Sequence, residues 1–140
     1  MKRLLNLGLL LTLGLAVGAG SAYGAAMLLA PSERAQSTNE FVETGPVLAP
    51  LVLDDGRLSG YASFEIQLEV PGNQVDFVRA RMPLLLHAIN LRTFRSPLAS
   101  GPDGMLPNLE QFRKVVMSAA PEAFGDGVVR HAAITQASPA

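Results

Sequence analysis

His87 and His131 are the only histidines of this 140-residue chain, and a histidine can ligate a metal or move a proton near neutral pH. A zinc site needs three or four nitrogen, sulfur or carboxylate ligands at close spacing, and here cysteine is absent and neither histidine has a second ligand near it. Both histidines read as surface or half-buried residues. Asp54 and Asp55 have the composition of an acid pair, but the adjacent Gly56 makes them turn formers. Ser100-Gly101 lacks the preceding strand and following helix that would expose a nucleophile, and the chain has no phosphate loop or dinucleotide fingerprint. These patterns supply no catalytic residue, no metal site, no cofactor and no small-molecule substrate. The sequence therefore points to a protein that acts by contact.

Charge narrows the partners. A formal net charge of -1 argues against a sequence-independent grip on nucleic acid, which needs many Lys and Arg contacts to phosphate. The charges are also segregated. Residues 31–76 carry eight acids against Arg34 and Arg57, whereas residues 77–140 carry seven bases against four acids. Such a chain either solvates two different faces or lets copies meet head to tail, acidic part against basic part. Glu65, Glu69, Arg79 and Arg92 are the candidate residues for an oligomer or partner surface.

The hydrophobic content of 49% is concentrated at the start. Leu4 to Ala30 is free of charge, follows Lys2 and Arg3, and is closed by Pro31, Ser32, Glu33 and Arg34. As a helix it would be about 40 Å long, enough to cross a hydrocarbon core of about 30 Å with some tilt. The positive flank would leave the N-terminus in the cytoplasm and the rest of the chain outside. The competing reading is a secretory signal cleaved after Ala22 or Gly24, which would release a periplasmic binding module. The apolar continuation Ala25 to Ala30 favours the anchor. Gly14 and Gly18, like Gly20 and Gly24, have the spacing at which two membrane helices approach closely.

Beyond the span, residues 31–45 are polar and read as a tether, and residues 46–140 as one α+β domain. Val47 to Leu53 is strand-like, but Pro50 confines it to a sheet edge or a bulge, and Asp54 to Arg57 makes the turn after it. Ala62, Phe64, Ile66, Leu68 and Val70 alternate with Ser63, Glu65, Gln67 and Glu69, the signature of a strand with one dry face and one wet one. A helix is expected from Gln74 to Phe94, capped by Asn73, with Val75, Val78, Met82, Leu85 and Ile89 inward and Pro83 kinking or dividing it. Residues 96–107 form a long loop, mobile or ligand-binding. Asn108 and Gln111 start a second helix through Leu109, Phe112, Val116 and Ala119 that ends at Pro121 and Gly125. A last strand spans Val128 to Gln136.

In this order of elements the chain resembles the FliL family of flagellar basal-body proteins. The resemblance is carried by Val47-Leu48-Ala49-Pro50 to Asp55-Gly56-Arg57, Tyr61 to Val70, Arg79 to Leu91, and Gly127-Val128-Val129 to Ile134-Thr135-Gln136. It departs from the family in its short tether, in Pro83 and Pro121, and in a final strand without aromatic residues. The resemblance implies a single-pass inner-membrane protein whose stomatin-like periplasmic domain has antiparallel strands packed on two helices, forms homo-oligomers and contacts flagellar stator components in support of rotation. It implies no catalytic residues.

Overall fold

The structure, a computed structural model, describes residues 38–140. Residues 1–30, expected to form an anchor, and their glycines Gly14, Gly18, Gly20 and Gly24 lie outside the described residues. Within those residues no helix is long and apolar enough to cross a membrane.

The domain is α+β: a three-stranded antiparallel sheet carries two helices on one face. Strands β1 (Asn39–Val52) and β2 (Leu58–Pro71) form a long hairpin, and β5 (His131–Pro139) pairs with the other side of β2, giving the order β1-β2-β5. Helices α1 (Val75–Thr93) and α2 (Leu109–Phe124) cover the sheet. Between them lies a two-stranded hairpin, β3 (Ala99–Ser100) and β4 (Leu106–Pro107).

Central strand β2 follows its alternation. Ala62, Phe64, Ile66, Leu68 and Val70 are buried, and the residues between them are exposed or half-buried. This places Phe64 against Phe112 of α2, with ring centroids 3.8 Å apart and planes 17° from parallel. From α1, Val75, Val78, Leu85, Ala88 and Ile89 complete the core, and from α2, Val115, Val116, Ala119 and Ala120. Their spacing is that of one helical face.

Several expectations are corrected. Strand β1 is an edge strand, as Pro50 requires, but it starts at Asn39 and not near residue 46, so residues 39–45 belong to the sheet and not to a tether. Val42 and Thr44 point inward, while Phe41 and Glu43 are exposed. Asn73 caps nothing: it lies in the 3-10 turn Gly72–Gln74, and α1 starts after Gln74 without a side-chain cap. Pro83 does not divide α1, which runs unbroken from Val75 to Thr93. The proline is exposed, so water can serve the Arg79 carbonyl that loses its donor. Pro121 likewise lies within α2, which ends three residues later at Phe124 and is closed by Gly125 with φ +90°, a backbone that glycine adopts without a Cβ clash.

The loop of residues 96–107 is a folded element. Leu98 is fully buried, its carbonyl accepts from Asn108 N at 2.8 Å, and the Ser59 hydroxyl reaches Gly104 O at 2.5 Å and Leu51 O at 3.0 Å. That hydroxyl has one proton and serves one carbonyl at a time. Asn108 does cap α2, with Oδ1 accepting from Gln111 N at 3.0 Å. The reciprocal half of a capping box is replaced, because Leu98 O takes the Asn108 N–H.

Candidate functional site

Among the described residues the sheet is covered on one side only, and its other side is the most distinctive surface of the domain. Register sets the rows across it. Phe41, Glu69 and His131 form one, Glu43, Gln67 and Ala133 the next, Pro46, Glu65 and Gln136 the third, and Leu48, Ser63 and Ser138 the fourth. Three carboxylates thus stand on this face, spaced along the strands, with His131 as the basic side chain in the rows. Phe41, Leu48 and Tyr61 add exposed apolar surface.

Glu69 is the best-held of the carboxylates. Asn39 Nδ2 donates to its Oε1 at 2.8 Å, and His131 Nδ1 lies 2.6 Å from its Oε2. One residue from each of three strands meets there. The hydrogen bond with His131, followed by that from Asn39, holds the Glu69 carboxyl below its ordinary value. Gln67 Nε2 donates to Glu43 Oε1 at a longer 3.3 Å, and Glu65 is exposed.

Both edge strands bulge against β2 at the same level. On β1 the register slips between Glu43 and Pro46, and on β5 the slip falls opposite Glu65 and Ile66. Each bulge leaves backbone groups without ladder partners. Threonines compensate. Thr44 Oγ1 lies 2.9 Å from Gly45 O and 3.4 Å from Ile66 O, and Thr135 Oγ1 donates to Glu65 O at 3.2 Å. Gly45 takes φ +73°, the left-handed conformation that such a bulge uses. The paired bulges shape a shallow depression lined by Glu43, Gly45, Pro46, Glu65, Gln67 and Thr135.

The arginine candidates lie elsewhere, on the helical layer. Arg79 is exposed, with a long 3.9 Å approach to Asp76. Arg92 is engaged within the domain: its Nη1 donates to Ala88 O at 3.1 Å and its Nη2 to Glu122 Oε2 at 2.8 Å, tying α1 to α2. Glu65 and Glu69 therefore share one face, and Arg79 and Arg92 do not join them. His87 is exposed on α1, apart from His131.

Sequence reading missed the partners of Glu69. Asn39 and His131 reach it only through strand pairing across long sequence separations, and nothing local marks them. Thr44-Gly45 was a signal in principle, since a glycine in a strand pattern marks a bulge. Among the described residues no group of three or more His, Asp or Glu side chains is placed to hold a metal ion. The arrangement offers charge, hydrogen bonds and apolar area for a macromolecular partner. Comparison of the chain with protein-family models, curated proteins and solved structures finds no match.

Proposed function

We propose that this is a FliL-like, single-pass inner-membrane protein whose periplasmic, stomatin-like domain supports flagellar motor function by protein–protein contact. The observation that carries the contact reading is the uncovered outer face of the sheet, where Glu43, Glu65 and Glu69 stand beside exposed Phe41, Leu48 and Tyr61. Apolar area rimmed by charge of one sign is what a protein partner of complementary charge recognises. The partner classes are a neighbouring copy and stator components exposed near the same membrane. Tethering raises the effective concentration of both, so weak contacts suffice. The flagellar assignment itself is supported by the resemblance of the sequence.

The test is a deletion strain complemented with the wild-type protein or with Glu65→Lys/Glu69→Lys. Swimming in soft agar and crosslinking to stator proteins should fall together in the variant, with filaments still assembled. Normal motility in the deletion strain would refute the flagellar role. A second reading, a periplasmic binding module released by signal cleavage, is favoured by the depression between the two bulges. Recovery of a soluble chain beginning near Tyr23 or Ala25 would select it.

A further inference from the structure

Helix α1 is apolar on more than the side it buries. Phe77, Leu84 and Leu91 recur at intervals of seven residues, which brings them to one side of the helix. Leu84, Leu91 and nearby Phe94 are 52%, 56% and 60% exposed. The buried residues Val75, Val78, Leu85 and Ile89 lie about 100 to 180° around the helix from Leu84 and buried Ala88 borders the stripe, which itself stays exposed beside the buried face. Basic residues accompany it. The Arg81 guanidinium carbon lies 4.7 Å from the centre of the Phe77 ring, and exposed Arg95 follows in the turn just past the end of α1. From Phe77 to Pro102 the chain contains no acidic residue.

The point of chain entry bears on what covers this stripe. Gly72 N donates to Thr38 O at 3.0 Å, so the chain enters the domain beside the turn that starts α1. Seven residues separate Ala30, the last of the uncharged segment, from Thr38. Fully extended they reach about 25 Å, comparable to the roughly 28 Å length of a 19-residue helix. Chain length alone thus limits the start of α1 to within about 25 Å of the end of the uncharged segment.

We infer that the outer face of α1 docks on the surface of an anionic bilayer, with Phe77, Leu84, Leu91 and Phe94 in the interface and Arg81 and Arg95 on lipid phosphates. The inference rests on the anchored reading of residues 1–30. Apolar side chains in the headgroup region with arginines at their margin are the composition of an interfacial helix. Partner binding through Glu65 and Glu69 would then occur on the far side of the domain, facing away from the lipid.

The absence of cysteine permits a single-site test on the full chain. An environment-sensitive fluorophore is attached at Ala80→Cys, on the stripe side of α1, or at Ala133→Cys, on the outer face of the sheet. The chains are reconstituted into phosphatidylcholine vesicles with or without phosphatidylglycerol, each containing a shallow lipid-borne quencher. The probe at 80 should be quenched in the anionic vesicles and the probe at 133 should not. Replacing Arg81 and Arg95 by Gln should lower the ratio of docked to free probe about fivefold for each charge removed. Leu84→Ser with Leu91→Ser, both at exposed positions, should abolish quenching while the domain remains folded. A probe at 80 that stays in water while the chain resists carbonate extraction overturns the docking and leaves the anchor standing. Protection that follows protein density instead of lipid charge also overturns it, in favour of a second copy on the stripe. Extraction of the intact chain by carbonate overturns both readings.

Discussion

Truncating Phe64 to alanine removes the largest buried side chain of β2 from the place where the sheet meets α2. Phe64 is fully buried and its ring stacks on Phe112 at 3.8 Å. Loss of buried aromatic volume and the cavity left behind cost about 3 to 5 kcal/mol. The stack adds little beyond area, about 0.5 kcal/mol, the low end for aromatic pairs, since its centroids are closer than the separation such pairs usually take. A domain of this size has a total stability of about 5 to 15 kcal/mol, so the variant should stay folded but lose a large fraction of its margin. The control is Glu65→Ala, whose side chain points to the outer face and should change stability by less than about 0.5 kcal/mol. Guanidinium unfolding of the full chain in mild detergent, read by pulse proteolysis, reports both. Adding Phe112→Ala closes a double-mutant cycle, in which the two truncations should be less than additive because they empty one shared space. Equal sensitivity at positions 64 and 65, or full additivity with Phe112→Ala, would refute the register and the packing.

Asn108→Ala should destabilise the domain by about 1 kcal/mol, since the Gln111 N–H loses its acceptor at the start of α2, and thermal melts would register the change. Pro83→Ala should raise the melting temperature, because alanine restores a donor to the Arg79 carbonyl without altering a helix that is already continuous. Glu69 has a depressed carboxyl pKa when folded, so its contribution to stability is present above the unfolded value near about 4.3 and is lost as pH falls through the lower folded value. Glu69→Gln should therefore flatten the acid side of a stability-against-pH curve, whereas an unchanged acid limb would show that the contacts with His131 and Asn39 contribute nothing.

The parts of the fold that sequence revealed are those in which one side chain per period faces a common core. Strand β2 is central and strictly alternating, and Asn108 carries its cap within three residues. The first seven residues of β1 were obscured because an edge strand tolerates acids and polar residues that break the pattern: Glu40 and Glu43 flank Val42, and Thr44 fills an inward position usually held by an apolar group. The prolines misled in the other direction. Pro83 and Pro121 each remove one hydrogen bond, but α1 and α2 are held by the burial of Leu85, Ile89, Phe112 and Val116, which outweighs a local loss at an exposed position. The outer-face cluster around Glu69 was invisible for a different reason. Its three members come from three strands, and their proximity depends on a pairing of β5 with β2 that contains a bulge at Thr135, which no local pattern announces.

Charge segregation along the chain becomes segregation across the domain because of the order in which elements are built. The acidic first half supplies the β1–β2 hairpin and hence most of the open face, and the basic second half supplies both helices. With one sheet and one helical layer, nothing among the described residues covers the outer side of β2, and its carboxylates stay in water, as they must unless a partner brings compensating charge. Association through sheet edges is disfavoured at β1, where Pro46 and Pro50 lack donors and the bulge at Thr44-Gly45 breaks the ladder, and β5 offers only nine residues ending in Pro139. Face contact has no such obstacle. Ser63, Gln67 and Ser138 offer hydrogen bonds at intervals across the rows, and Phe41, Leu48 and Tyr61 offer area that only a flat partner would cover together. The arrangement favours recognition by opposed surfaces over strand addition, and it leaves α1 on the other side free to meet a different surface at the same time.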